Sequence, residues 1–431
     1  MNGAPVAFNG SLLSMTDASS TAQPTSLSRN PSFVRLWCVR TATSGAYQMQ
    51  GVAVGWQLYE MTGNALDLGI VGLAQFLPLI GFAPVIGQVA DRYDRRVVVA
   101  TTQIVKTLCL AALAIGTWDG WLGREAIFAL IFLAASARAF ENPGVHAMLP
   151  TVVPPLVLPR AIAASMTAQQ TAVITGPAIG GLLYLLGPVT VYATCSVINL
   201  MAAVLVSQIK QIYASQDKAP VTFKSVFAGF SYIWNRKLLL GVISLDLFAV
   251  LVSGITALLP IFARDVLETG PWGLGLLRSA PAVGALAMSV VLARWSIEAN
   301  AGRILFATVA VYGAAITLFG LSTSLVLSLF ALIVYGAADS ISVVIRHSLV
   351  QTRTPNEMLG RVTAVNLMFT GTSGSLGDFR AGLMAAWWGA VPAVLIGGVG
   401  ALAVTLLWMR LFPDLVRIDK LTGEPEKSDR A

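Results

Sequence analysis

The chain is short of charge. Asp, Glu, Lys and Arg together make up 11% of its 431 residues, where water-soluble domains carry about 25%. With 56% hydrophobic residues, most side chains must meet lipid or other apolar helices, which argues against a protein wetted on every face. Histidine is scarcer still, with only His146 and His347. No Ser-His-Asp spacing, phosphate loop or cofactor-binding fingerprint is present, so an enzyme is not expected, and the lack of a Walker motif argues against an ATP-driven pump. Cysteine is limited to Cys38, Cys109 and Cys195, each inside an apolar run. An odd number at such spacing suits neither zinc nor a disulfide framework. They read as small packing residues, and neither a metal nor a cofactor is expected.

What the chain does have is long apolar runs. About 20 mostly apolar helical residues cross about 30 Å of hydrocarbon. Twelve such stretches can be marked, at 33–59, 68–90, 97–118, 125–149, 161–186, 188–208, 238–262, 272–295, 303–321, 324–349, 360–386 and 389–411. The fold class expected is an all-α membrane protein with 12 transmembrane helices in two six-helix bundles. The bundles would be residues 33–208 and 238–412, joined by a polar linker at 209–237. Residues 1–32, rich in Ser, Thr, Ala and Gly, lack the charged start and apolar core of a signal peptide and read as a disordered tail. Residues 413–431 read as a second polar tail. Within the linker, Val221, Phe223, Val226, Phe227, Phe230, Ile233 and Trp234 fall at near-helical spacing. They suit either a helix lying on the membrane surface or a linker helix packed on the bundle.

Basic residues set the orientation. If the N-terminus is cytoplasmic, 20 of the 28 Lys and Arg lie on that side, only Arg124 and Arg264 lie on the other, and six lie within spans. The positive-inside rule then places both termini in the cytoplasm of a multi-pass inner-membrane protein. It also accounts for the net charge of +7 without any nucleic-acid partner. Shifting the chain by 200 residues overlays the helix-loop-helix at 137–164 on that at 337–364, as a parallel repeat would.

The sharpest local motif is Gly87-Gln88-Val89-Ala90-Asp91-Arg92-Tyr93-Asp94-Arg95-Arg96, between spans two and three. Gly87 permits close helix approach, Asp91 is expected near the start of the third helix where its dipole favours a carboxylate, and Arg92, Arg95 and Arg96 stay at the interface. This decapeptide resembles the loop signature of the major facilitator superfamily. The resemblance implies a latch in which Asp91, Arg92 and Arg95 lock the two halves on the cytoplasmic side in the outward-open state. Gly176-Pro177-Ala178-Ile179-Gly180-Gly181 in span five is similar to the antiporter motif of that superfamily, with Ala172 where the pattern has Gly. The plainer reading is a small-residue helix contact. The stretches LWCVRTATSGAYQMQGVAVGWQLYEMTG, ARAFENPGVHAMLP and SGSLGDFRAG are similar to the branch holding the enterobactin exporter and macrolide efflux proteins.

A charge at mid-bilayer is costly, so such residues face a cavity or a partner. Arg40, Arg138, Glu141, Asp246, Asp339 and Arg346 lie in spans one, four, seven and ten, which line the central cavity in this superfamily. They sum to zero, which suits an amphiphilic or zwitterionic solute. Arg138 and Glu141, three apart, can pair on one helix face. Glu141, Asp246 and Asp339 are the proton-coupling candidates, with structural pairing as the alternative for each. Asp378 and Arg380 in span eleven read as a structural charge network in which Arg278 can satisfy Asp378, with a part in gating as the alternative, and Lys106 would snorkel only if it lies near the interface. Tyr47, Gln48, Gln50 and Asn142 are candidate substrate contacts, with Trp56 and Gln57 beside them.

These readings converge on a secondary transporter that exports a small amphiphile, siderophore-like or drug-like, by alternating access with proton antiport. The partners expected are a small-molecule substrate, protons and membrane lipids, and the chain is expected to be monomeric. The alternatives are uptake by symport and a receptor or assembly factor that keeps the fold without transport.

Overall fold

The computed structural model describes residues 27–210, 223–295, 297 and 299–421, without the side chains of Pro84, Ala90, Asp91 and residues 223–227. Most of both terminal tails, Val221, and the Phe223, Val226 and Phe227 side chains of the linker face therefore lie outside the described residues, as does the Asp91 side chain. Among the described residues there is no strand. The helices run α1 (Pro31–Thr62), α2 (Ala65–Gly81), α3 (Ala83–Arg92), α4 (Arg95–Trp118), α5 (Arg124–Val152), α6 (Leu158–Tyr184), α7 (Pro188–Ser207) and α8 (Phe223–Trp234). They continue as α9 (Lys237–Ser253), α10 (Leu259–Ile261), α11 (Gly270–Arg294), α12 (Ala301–Leu321), α13 (Leu325–Arg353), α14 (Asn356–Trp388), α15 (Ala390–Leu411) and α16 (Pro413–Val416).

Local chemistry sets the helix ends. Asn30 caps α1 by accepting from the Ser32 and Phe33 amides at 3.1 Å, Pro31 occupies the first turn where no amide partner is needed, and Gly63 closes the helix in the left-handed region at φ 60°. The second predicted span is two helices in tandem, α2 and α3, divided at Phe82 with Pro78 inside α2 and Pro84 opening α3, since proline removes an amide donor on each side. The seventh predicted span is also broken. It leaves α9 at Ser253, makes a 3-10 turn at Thr256–Leu258, and continues through α10 into a π-helical turn at Phe262–Val266. The linker helix α8 packs on α14 and α9. Gly229 meets the Arg361 backbone, Ile233 is buried and Trp234 is exposed, so α8 has both a packed and an outward face.

Eight stretches are long and apolar enough to cross a membrane: α4, α5, α7, Lys237–Val266, α11, α12, α13 and α15. α2 is apolar but only 17 residues long, and α1, α6 and α14 fall short of that standard. α2 lies against α14 and α6 against α11 and α1. The remaining contacts are made mostly within α1–α7 and within α9–α15.

The apolar core divides unevenly along the helix axes. Around the end marked by Thr62, one continuous cluster joins residues from both sets of helices, such as Leu58 and Tyr192 with Phe262 and Phe319. At the opposite end, marked by Arg92, there are two clusters. One holds Phe33, Met148 and Ile209, and the other holds Leu239, Ile345 and Val362. The apolar cores of the two sets are thus joined at the Thr62 end and divided at the Arg92 end.

The joined end is held by backbone against backbone. Around Gly382, the Gly69 Cα would lie 2.8 Å from an added Cβ, and around Gly181 the Pro271 carbonyl would lie at 2.6 Å. At Gly374 of α14 an added Cβ would meet nothing within 4 Å. Gly382→Val should therefore cost about 1–3 kcal/mol by overpacking, while Gly374→Val should leave stability nearly unchanged. Thermal unfolding of both variants in detergent reads this, and equal losses would refute the seam.

Candidate functional site

Between the two sets of helices, at mid-height, lies a cavity of about 320 Å³. Tyr47 and Gln48 of α1, Gln75 of α2, Thr256, Arg278 of α11 and Asp378 of α14 line it. The break in the seventh span builds one wall. Gly254 sits against the backbone of Gly377 with no room for a side chain, and the chain turns there. The amide of Ala257, freed by the break, donates to the Asp378 carboxylate at 3.3 Å. A carboxylate at the start of a helical segment satisfies an orphan amide and complements its partial positive charge.

Arg278 stands opposite. Its guanidinium lies on the glycine face of α1, where a Cβ at Gly51 would stand 2.5 Å from Nη1. Its Nε is buried with no hydrogen-bond partner among the described residues. Arg278 and Asp378, expected to pair, line the same cavity but form no ion pair within 4 Å. A second, water-sized cavity adjoins through Tyr47 and is lined also by Gln50, Lys106 and Arg138. Tyr47 donates to Gln75 at 2.9 Å, and the Arg138 guanidinium lies 3.5 Å above its ring.

The family model described as "Transmembrane secretion effector" (MFS_3) matches residues 22–426. The chain belongs to the major facilitator superfamily. The enterobactin exporter EntS of Escherichia coli O81 (strain ED1a) is 24% identical over 423 residues, covering 94% of this chain and 97% of that protein. The fold is similar to that of a bacterial homologue of the lysosomal transporter Spinster, solved inward-facing and occupied, with TM-score 0.70 and 12% identity over 89% of this chain and 97% of that one. It is also similar to an inward-facing bacterial homologue of the iron transporter ferroportin, with TM-score 0.68 and 17% identity over 90% and 99%.

The facilitator loop motif lies at the end where the apolar core is divided. Asp91 is in the last turn of α3, so the helix-start position expected for it belongs to Asp94, which caps α4 through the Arg96 amide at 2.9 Å. The Asp94 carboxyl is held below its ordinary value chiefly by the Arg96 hydrogen bond. Arg95 donates to the Ala147 carbonyl at 3.4 Å and Arg96 to the Ile209 carbonyl at 3.2 Å. Arg92 is exposed, and a Cβ at Gly87 would meet nothing within 4 Å. The Gly-Pro motif of α6 is a two-sided contact. Gly176 and Gly180 abut Gly45, Gln48 and Met49 of α1, while Gly181 and the Pro177 carbonyl abut α11.

The intramembrane charges pair differently from expectation. Glu141 does not take Arg138, which turns to Tyr47. It takes Lys106 at 2.6 Å and Gln103 at 2.7 Å, all three buried. Lys106 therefore does not snorkel, because its ammonium has an internal partner. Asp246 pairs with Arg346 and also accepts from Thr370 at 3.3 Å. Asp339 lies 4.0 Å from the same guanidinium. Arg40 donates to Gln169 at 2.8 Å, and Arg380 donates to the Leu251 carbonyl at 3.1 Å. Asn142 is exposed and lines neither cavity. Gln57 is occupied by Thr117 and Tyr192, and Trp56 packs edge-on to Tyr184. Gln75 and Thr256 escaped the sequence reading, although Gly254 followed by Thr256 inside an apolar run was the available signal for the break.

Removing one member of a buried ion pair leaves an uncompensated charge, at about 3–5 kcal/mol. Lys106→Met should lose that much stability, and the Lys106→Met/Glu141→Gln double variant should recover most of it. Thermal unfolding of the set gives the coupling, and additive losses would show that the pair does not act as a unit.

Proposed function

We propose that this facilitator is a secondary exporter of a small amphiphile, working by alternating access with proton antiport and captured open to the cytoplasm. On this reading the chain crosses the inner membrane twelve times in two six-helix halves, residues 33–208 and 238–412, with both termini cytoplasmic. α1, α2–α3, α6 and α14 supply the four crossings whose polar and small residues face the interior. The observation that carries the proposal is the uneven core, one cluster at the Thr62 end and two at the Arg92 end. The basic loops favour a cytoplasmic Arg92 end, and on this reading the central cavity opens where an exporter must load. A rocking of the halves about a midplane site would carry it to the other face.

Two features support proton coupling. Asp246 and Asp339 share the single guanidinium of Arg346, so that cluster is neutral only when it carries one proton. Asp339 is the more open of the two, with a side chain 42% exposed against 8% for Asp246. Lys106 and Glu141 form a pair that is already neutral, which makes that carboxylate the weaker candidate. The name of the enterobactin exporter relative favours export and a siderophore-like cargo. The chain is proposed to act as a monomer in contact with lipid.

Respiring everted vesicles containing the protein should accumulate enterobactin or a macrolide, and a protonophore should abolish the accumulation. Asp339→Asn should lower the gradient-driven rate at least tenfold. Accumulation that survives collapse of the gradient would end the antiport reading, and uptake only by right-side-out vesicles would make the protein an importer.

A further inference from the structure

The charges around the cavity do not balance once their partners are assigned. Glu141 is neutralised by Lys106, and Asp246 and Asp339 share the one guanidinium of Arg346. Asp378 is engaged by the amide of Ala257. That leaves Arg40, Arg138, Arg278 and Arg380 without a carboxylate at ion-pair distance among the described residues, and Arg380 has the Leu251 carbonyl. Arg40 has an amide oxygen and Arg138 the face of Tyr47. Arg278 has no hydrogen bond or ion pair among the described residues, and its Nε is buried and unsatisfied. A guanidinium left this way at mid-membrane is costly and calls for a functional partner.

From this we propose that Arg278 is the anchor for an anionic group of the transported amphiphile, a carboxylate or comparable planar oxyanion, with Tyr47 and Gln75 flanking it and an apolar body lying along Leu68, Val71 and Pro260. The proposal rests on the transport reading above and narrows its cargo from amphiphilic to anionic. The guanidinium presents a planar fork of donors suited to two oxygens at once. Gly51 and Gly55 clear the side of α1 on which it rests, so the fork is held at the cavity wall without a protein acceptor. Leu68, Val71 and Pro260 add apolar surface to the same cavity. Arg138 on the far face of Tyr47 adds a second positive charge, so the site repels a cationic amphiphile. Asp378 is held on the α14 side by the Ala257 amide and forms no ion pair with Arg278, which keeps its donors open to the cavity.

The test is binding, with no gradient imposed, so a failure of export or of proton coupling leaves it readable. The full-length protein in lipid nanodiscs is equilibrated by dialysis with 2-naphthoate, with the neutral 2-naphthamide, and with 2-naphthylmethylammonium. The wild type should bind the carboxylate at least tenfold more tightly than the amide and the ammonium least tightly. Arg278→Gln should abolish the preference for the carboxylate, leave amide binding unchanged, and unfold at no lower temperature than the wild type, since it removes an unsatisfied charge. A purely structural arginine would instead lower the unfolding temperature. Arg278→Lys should keep part of the preference. Gly51→Ala displaces the guanidinium while keeping its charge, and should weaken carboxylate binding several-fold. Equal affinity for carboxylate and amide, no saturable carboxylate binding, or a preference that survives Arg278→Gln would overturn the proposal. Export of a neutral or cationic amphiphile without carboxylate binding would overturn it while leaving the exporter reading intact.

Discussion

The structure depends on backbones that touch where side chains are absent. α2 meets α14 at Gly69 and Gly382, and α6 meets α11 at Gly181 and Gly275. With a Cβ at any of these positions the helices would have to part, and the single core at the Thr62 end would divide as the cores do at the other end. Because the contact is so short-ranged, dispersion attraction acts across it strongly, but little interlocks. A seam of this kind is tight when closed and leaves few buried polar groups stranded when it opens, as a carrier exposing its centre alternately to two faces requires.

The same constraint places the chemistry. Gly254 against Gly377 forces the chain out of α9, which frees the Ala257 amide, which in turn occupies Asp378. Asp378 keeps its charge when it accepts that amide but makes no ion pair with Arg278, whose guanidinium stays at the wall of the same cavity. A glycine contact between two backbones thus helps to position the carboxylate that shares a cavity with Arg278. Lys106, Gln103 and Glu141 follow the opposite logic. They form a closed, mutually satisfied group within α4 and α5, suited to holding one set of helices rigid while it moves as a body.

Much of this was legible in the sequence, and the parts that were not share a cause. Composition and apolar run length gave the helical class and the membrane setting, because both are sums over many residues. The loop and Gly-Pro motifs pointed to the superfamily, and the family match supports that. Tyr47 and Gln48, expected as substrate contacts, line the cavity, whereas Gln57 and Asn142 do not. Pairing was less legible. Arg138 and Glu141 sit three apart on one helix, yet Glu141 takes Lys106 from α4, because proximity along a helix cannot predict which neighbouring helix supplies a better partner. Asp378 and Arg278 were read as structural for the same reason. Their roles turn on a helix break at Gly254 that an apolar run conceals.

The far end shows what the proposed motion must undo. Tyr59 of α1 donates to Asp265, and Arg264 donates to the Tyr59 carbonyl at 3.2 Å while its guanidinium lies 5.5 Å from the Tyr59 ring. Both partners belong to the π-helical turn at Phe262–Val266. A π turn carries one residue more than an α turn, and its hydrogen bonds are readily exchanged for α-type ones. Rewinding it would rotate Arg264 and Asp265 away from Tyr59 without moving the rest of the span. The polar contacts at this end are thus mounted on a π-helical turn, one of two irregular stretches of the seventh span. The glycine seam below can part without stranding charges, because the charges it adjoins are already held within one set of helices or turned toward the cavity.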